Sequence, residues 1–419
     1  MSEKVASSLV PSEDIQWMNL VDEKIASGTL TPTEQAYYGR IKRVYTMPDL
    51  SQLEWHPINM VIDKISTSPF YASFDHAATP QVVAEWETFD LFNFPQDHVA
   101  RRPSDSYFIQ KSEDTKESIL LRPHTSVMWY HYLINQGWKQ KLEKEGEVKA
   151  LSWWKVYRVD ELDKTHHECF HQIDGLRITH KDKEVINQDT LKQVLSSTIV
   201  ALFGPEVEYR FSEDQFPYTI GSLEAEVKYK GQWIEVLWAW VVHPDVLSRL
   251  WIDPEKYNGW AFGFGVDRLT MALKGVSDIR IFWSQDQRIT SQWGNFEPYK
   301  EVSNYPPVFK DITFLVDKSK FIVDPIDSEK NGHIELTKNS ESNLFDIAGI
   351  VRDVSWDIVE SVELIDIFEN DKKFWPDNKS VCVRMAFRSL ERTLTHEEIN
   401  KVYFTIRWKM ENELWFVLR

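Results

Sequence analysis

Apolar positions along the chain fall into two rhythms. Near the start Ile15, Met18, Val21 and Ile25 recur every three or four residues, the spacing of one buried helical face. Thr31, Pro32 and Glu34 follow as a capping box with proline in the first helical turn, so 1–55 is expected to be a small helical extension. From His56 to Ile289 helix-like stretches are interleaved, in no regular order, with alternating strand-like ones at Lys155 to Tyr157, Cys169 to Thr179, Glu224 to Tyr229 and Trp233 to Val242. The short turn from Lys230 to Gln232 makes the last two antiparallel neighbours, which predicts an antiparallel sheet with flanking helices for 56–289. Polar, aperiodic residues 290–304 predict a linker. Beyond it come strand (Val308 to Val316), helix (about Glu341 to Val351), strand (Ile358 to Phe368), strand (Ser380 to Phe387), helix (His396 to Lys409) and strand (Glu413 to Leu418). That order, βαββαβ, predicts a ferredoxin-like α/β sandwich over 305–419, and the fold class is α+β.

One of these stripes leads to chemistry. Leu269, Ala272, Leu273 and Val276 describe a buried helix face, Gly275 supplies a stop, and the helix is entered through Gly259, Gly263 and Gly265. Glycines let the backbone approach a ligand, a helix start offers N–H groups and a positive dipole end, and Arg268 adds a permanent charge in the first turn. The segment reads as a nucleotide site. A strand and helix packed through small residues, with a surface arginine, stays open beside it, because the spacing GxGxxG is absent.

Lys155 to Thr179 reads as two strands joined by a charged loop. Alternation puts Gln172 and Asp174 on one face, where they could receive an ammonium group, while Arg158 ends the preceding strand and could meet a phosphate. His167, Cys169 and His171 would share the other face, with His166 adjacent, so a zinc hydrolase is a rival reading. Against it, Cys169 has no second cysteine nearby and no spaced histidine pair closes the site. A plain polar hairpin is the third possibility.

Composition narrows the class. The formal charge of −17 argues against wholesale wrapping of nucleic acid, although a local basic surface can hold RNA, and Lys379 to Arg419 carries eight Lys and Arg against five Asp and Glu. No apolar run is long enough to span a bilayer, and neither a membrane nor DNA is expected as a partner. The N-terminus lacks a secretory apolar core and has no arginine before Arg40, so a cytoplasmic location is expected. Two cysteines make no disulfide framework. Tryptophan outnumbers glycine, 18 to 15, which puts glycine at about 4% against a usual share of about 7%.

Arg158, the loop and strand THHECFHQIDG, and GWAFGFGVDRL resemble motifs 2 and 3 of class II aminoacyl-tRNA synthetases in the form used by phenylalanyl-tRNA synthetases. FDLFNFPQDHVARRPSDSYFI resembles the family's motif 1 region, LLRPHTS its substrate-binding segment and QFPYTIGSLEAEV its aromatic pocket strand. YPPVFKDITFLV, DIVESVELIDIF and FRSLERTLTHEEIN resemble its ferredoxin-like anticodon-binding domain, and both modules in one chain resemble the single-chain, organellar type. The resemblance runs in family order from about His56 to Arg419.

It implies a two-step reaction: ATP and phenylalanine form the adenylate, then the acyl group passes to tRNA(Phe). On that basis Arg158 is expected to bind the α-phosphate, Arg268 the γ-phosphate and His166 ATP, with Glu235 as a Mg²⁺ ligand. His124, Ser126, Gln172 and Asp174 are expected around the amino acid's polar end, Phe216 and Tyr218 against its ring, and Ala261 and Gly263 at the far end of its pocket. Arg384, Arg388, Arg392, Lys401 and Arg407 are the expected tRNA contacts. A non-catalytic paralogue that binds RNA or amino acid is the alternative.

Several residues depart from the family pattern. Asp174 stands where glutamate is usual, Tyr218 where phenylalanine is, and Trp129 where glutamine is, which bears on amino-group recognition. Trp154, Trp238, Trp240, Trp356, Trp375 and Trp415 all stand where glycine is expected. One cause would explain the tryptophan excess and the glycine deficit together: UGA codons read as tryptophan in a source that reads them as glycine.

Overall fold

Thr31 caps its helix as its sequence predicts: the hydroxyl accepts from Glu34 N–H, and the Glu34 carboxylate accepts from Thr31 N–H at 2.9 Å. The computed structural model describes residues 12–135, 137–159, 163–214, 219–302, 305–318, 329–330, 333–334, 343–369, 377–389, 391–414 and 416–418. Helix α1 (Ser12–Ala26) and helix α2 (Pro32–Thr46) form the N-terminal extension. The stripe on α1 is shifted from expectation. Met18 and Val21 are buried, but Ile15 is exposed, because the Asp14 carboxylate accepts from the N–H groups of Gln81 and Val82 and turns that end of the helix.

The central module follows. Helix α3 (Pro57–Ser66) leads into strands β1 (Asp75–His76), β2 (Val82–Ala84), β3 (Phe108–Gln110) and β4 (Ile119–Leu121), then helices α4 (Met128–Asn135) and α5 (Trp138–Glu145). Two long strands come next, β5 (Glu147–Tyr157) and β6 (Cys169–His180), followed by α6 (Gln188–Phe203), β7 (Tyr209–Asp214), β8 (Thr219–Tyr229) and β9 (Gln232–Val242). Helix α7 (Pro244–Arg249), β10 (Tyr257–Gly265), α8 (Val266–Lys274) and α9 (Gln287–Thr290) complete it. Among the described residues the main sheet runs β1-β5-β6-β10-β9-β8-β7, with only the β1–β5 pair parallel. β8 and β9 are joined through Lys230 and Gly231, both at positive φ, a tight hairpin turn that glycine makes possible.

Strand alternation divides the core between the two sheet faces. Phe262 and Phe264 pack with Ile58, Leu195 and Leu269 from α3, α6 and α8, while Ala261, Leu176 and Ile178 pack with Trp129, Leu133 and Leu142 from α4 and α5. Each such fully buried aliphatic or aromatic side chain is worth roughly 1.5–3 kcal/mol. The segment expected as a linker lies along α8: Trp293 is buried, and Lys274 Nζ donates to the carbonyls of Gln292, Asn295 and Glu297.

Strands β11 (Val308–Asp317), β12 (Glu329–Lys330) and β13 (His333–Ile334), helix α10 (Asn343–Ser355), strands β14 (Val359–Phe368) and β15 (Asn378–Phe387), helix α11 (His396–Glu413) and β16 (Val417–Leu418) form the C-terminal module. Its sheet order β12-β13-β14-β15-β11-β16 is the ferredoxin-like arrangement with a short hairpin on the β14 edge. The last strand starts later than expected, because α11 keeps an extra turn held by buried Met410 and a Lys409–Glu413 pair at 3.0 Å. Among the described residues no helix is long and apolar enough to cross a membrane.

Candidate active site

The site is built where four antiparallel strands bring small residues beside polar ones. Asp174 on β6 lies opposite Ser152 of β5 and Gly263 of β10, and Gly263 lies opposite Trp238 of β9. A β-carbon on Gly263 would stand 2.1 Å from Asp174 Oδ1, so glycine is what lets the carboxylate lie against the β10 backbone. Asp174 is buried and accepts hydrogen bonds from the hydroxyls of Thr125 and Ser126. Burial pushes its carboxyl up to about 7, against the lowering effect of those hydroxyls and of the Arg158 charge.

His124 precedes this pair of hydroxyls and is oriented by Thr88, whose carbonyl accepts from Nε2 at 3.0 Å. A carbonyl can only accept, so Nε2 carries the proton and Nδ1 is a lone pair, without a partner among the described residues. Burial and the neighbouring Arg158 charge hold the ring neutral, with its pKa lowered to about 4. Gln172 is fixed by Thr125 N–H, which donates to its Oε1 at 3.2 Å. Arg158 donates through Nε to the Pro123 carbonyl at 3.0 Å and lies over the Phe170 ring. His124, Ser126, Arg158, Gln172, Asp174 and Gly263 line one cavity of about 350 Å³, together with Phe92, Phe94, Trp238 and Trp240. A neutral acceptor, a carboxylate poised near neutrality and an arginine in one cavity can hold an ammonium group at one end and a phosphate at the other.

Other expected residues stand elsewhere. Ala261 is buried opposite Leu176 and Trp240 and does not line the cavity, since the larger Trp240 takes the neighbouring position on that face. Arg268 is exposed in the first turn of α8, as expected, with no hydrogen bond or ion pair to another described residue. His166 stands in the β5–β6 loop, its Nδ1 2.6 Å from Asp163 Oδ2. Glu235 is exposed, and its Oε1 accepts from the Trp238 indole at 2.7 Å. Phe216 and Tyr218, like Trp375 and Trp415, lie outside the described residues.

Two sequence-based concerns resolve differently. Trp129, expected to disturb amino-group recognition, is buried under α4 edge-on to Phe92 at 5.2 Å and is absent from the cavity wall. The zinc set is committed to structure: His171 Nε2 accepts from Leu50 N–H while Nδ1 contacts Asp267, His167 Nδ1 lies 2.6 Å from the Cys169 carbonyl, and burial pushes the Cys169 thiol up. Among the described residues no group of three or more His, Cys, Asp or Glu could hold a metal ion.

The five expected tRNA contacts are not bare cations. Arg384 pairs with Asp311 at 2.8 Å, Arg388 with buried Glu360 at 2.7 Å, Arg392 with Glu398, Lys401 with Glu397 at 3.2 Å, and Arg407 donates to Tyr403 Oη at 3.3 Å. Sequence reasoning also missed Phe92, Phe94 and Thr125, although Thr125 sits between two residues it named.

Comparison with known proteins shows the family. The family described as tRNA synthetases class II core domain (F) matches residues 43–293, and the ferredoxin-fold anticodon binding domain matches 303–419. A chloroplastic/mitochondrial phenylalanine–tRNA ligase of Arabidopsis thaliana is 34% identical over 81% of this chain and 71% of its own. A mitochondrial phenylalanine–tRNA ligase of Dictyostelium discoideum is 30% identical over 88% of this chain and 83% of its own. A phenylalanine–tRNA ligase alpha subunit of Dechloromonas aromatica is 35% identical, over only 57% of this chain. These names overturn the expected cytoplasmic location, since the relatives that match most of the chain are organellar proteins. The chain belongs to the phenylalanine–tRNA ligase family, with a class II tRNA synthetase core and a ferredoxin-fold anticodon-binding domain.

Proposed function

We propose that the chain activates phenylalanine with ATP and transfers it to tRNA(Phe). Asp174 carries the reading: a buried carboxylate, hydrogen-bonded to Ser126 and lining the same cavity as a His124 whose Nδ1 is bare, suits the ammonium group of an amino acid. Gln172, fixed through its Oε1, would turn its NH₂ to the substrate carboxylate. Phe216 and Tyr218 would meet the phenyl ring edge to face.

In the first step the substrate carboxylate attacks the α-phosphorus, the bond to the bridging oxygen breaks and pyrophosphate leaves. Arg158 would neutralise the charge that grows on the α-phosphoryl oxygens, and Arg268 would hold the γ-phosphate from the exposed start of α8. In the second step a hydroxyl of the terminal adenosine attacks the acyl carbon and AMP departs. His166 would contact ATP from the loop. An exposed carboxylate fits Mg²⁺, which takes one or two protein carboxylates and fills its shell with phosphate oxygens and water, so Glu235, with Glu226 directly across the sheet from it, would hold it. Bound there, the ion would draw charge off the phosphates. Arg384, Arg388, Arg392, Lys401 and Arg407 would reach tRNA phosphates by exchanging their present partners.

Trp238 and Trp240 on the cavity wall favour a second reading, a paralogue that binds without catalysing. We propose instead that these two, with Trp154, Trp356, Trp375 and Trp415, are glycines encoded by UGA. Codon inspection and the mass of the natural protein test this directly, and UGG at Trp238 and Trp240 ends it. Phenylalanine-dependent exchange of pyrophosphate into ATP tests the enzyme.

A further inference from the structure

Glu168 is a carboxylate in an unusual place: 2% exposed, at the end of the β5–β6 loop, and claimed by three modules' worth of donors. Its Oε1 accepts from Tyr107 Oη and from Arg352 Nη1 of α10, and its Oε2 accepts from Arg43 Nη2 of α2 at 2.8 Å. Burial alone would raise its pKa, but the Arg352 and Arg43 charges hold it down at about 2, so the group stays ionised. Arg43 is itself oriented by Asp353 of α10 at 3.0 Å.

The backbone of the same residue reaches the chemistry. Glu168 carbonyl accepts from the N–H of Arg158 at 3.1 Å, directly behind the side chain that lines the cavity. Four residues earlier Lys164 pairs with Glu360 of β14 at 2.7 Å, while its carbonyl accepts from Ile279 N–H at 2.8 Å. His166 lies between these two anchors. The next residue, His167, stacks on Trp283.

We infer that Glu168 is a positioning residue for ATP: gripped by Arg352 and Arg43, it lets the N-terminal extension and the anticodon-binding module set the backbone of Arg158 and the loop that carries His166. The inference rests on the ATP roles of Arg158 and His166 proposed above. A surface ion pair would not do this, but a buried carboxylate that loses one cation is left uncompensated and must move or take a proton.

The test uses the full chain without tRNA, measuring phenylalanine-dependent pyrophosphate exchange for Glu168→Gln, Arg352→Met, Arg352→Lys and Lys164→Met, with melting curves to confirm folding. Glu168→Gln and Arg352→Met should raise KM for ATP about tenfold and leave KM for phenylalanine within about twofold. Arg352→Lys, which keeps the charge, should recover most of the loss. Lys164 is half exposed, so its variant will fold and should raise KM for ATP by a smaller factor. If Glu168→Gln does not fold, Arg352→Met and Lys164→Met decide on the same two constants. An unchanged KM for ATP in folded Arg352→Met overturns the role, as does a parallel rise in both KM values or Arg352→Lys behaving like Arg352→Met. A native chain with no exchange at all sinks the ligase reading and this one with it.

Discussion

Gly263 lies directly across the sheet from Asp174, so close that a β-carbon there would sit 2.1 Å from the carboxylate oxygen. Gly263→Ala should therefore push Asp174 off the β10 backbone and away from Thr125 and Ser126. We expect kcat/KM for phenylalanine to fall by roughly 10–100-fold while KM for ATP changes little. Steady-state exchange kinetics resolve the two constants, and an unaffected phenylalanine constant would show that Asp174 does not bind the substrate.

The same carboxylate predicts a pH dependence. Asp174 titrates near 7 in the folded chain because it is buried, and an ammonium substrate needs the ionised form. kcat/KM for phenylalanine should rise with pH through about 7, and Asp174→Asn should remove that limb along with most of the activity. His124, neutral above about 4, contributes nothing to the slope. Stability runs the other way: between the unfolded value of 3.8 and about 7 the folded chain holds a proton that the unfolded chain has lost, so this group's contribution declines as pH rises. Asp174→Asn should melt higher than the native chain at pH 8, with the gap closing toward pH 4. A gap that grows toward acid would contradict the assignment.

Arg158 is expected to act on the α-phosphate. Arg158→Ala should lower kcat for exchange by about two orders of magnitude or more, as removal of a charge-stabilising group does, without loss of phenylalanine binding measured by calorimetry. A drop confined to phenylalanine affinity would move Arg158 from the phosphate to the amino acid.

Trp238 and Trp240 give the sharpest engineering test. Replacing both with glycine should enlarge the cavity and raise kcat/KM for phenylalanine by about tenfold or more. If activity instead collapses in a folded double variant, the indoles are working parts of the pocket and the codon hypothesis fails for this strand.

Much of this was legible in sequence for physical reasons that differ by residue. Strand alternation put Gln172 and Asp174 on one face, and the glycines of β10 announced a close approach that Gly263 makes. The order of elements in the C-terminal module declared its sheet. Trp129 was harder: α4 reads MWYHYLIN, apolar nearly all round, so no polar face marks which side looks outward. Phe92 and Phe94 look like any core aromatics until the chain is folded. Glu168 was invisible as a network, because its cations stand 125 and 184 residues away in sequence.

The central claim is an amino-acid-activating site built around Asp174, and the most direct measurement is phenylalanine-dependent exchange of pyrophosphate into ATP by the purified full chain. The account predicts exchange that requires phenylalanine and disappears in folded Asp174→Ala. No exchange from a folded chain whose sequence has been verified at the codon level would contradict it.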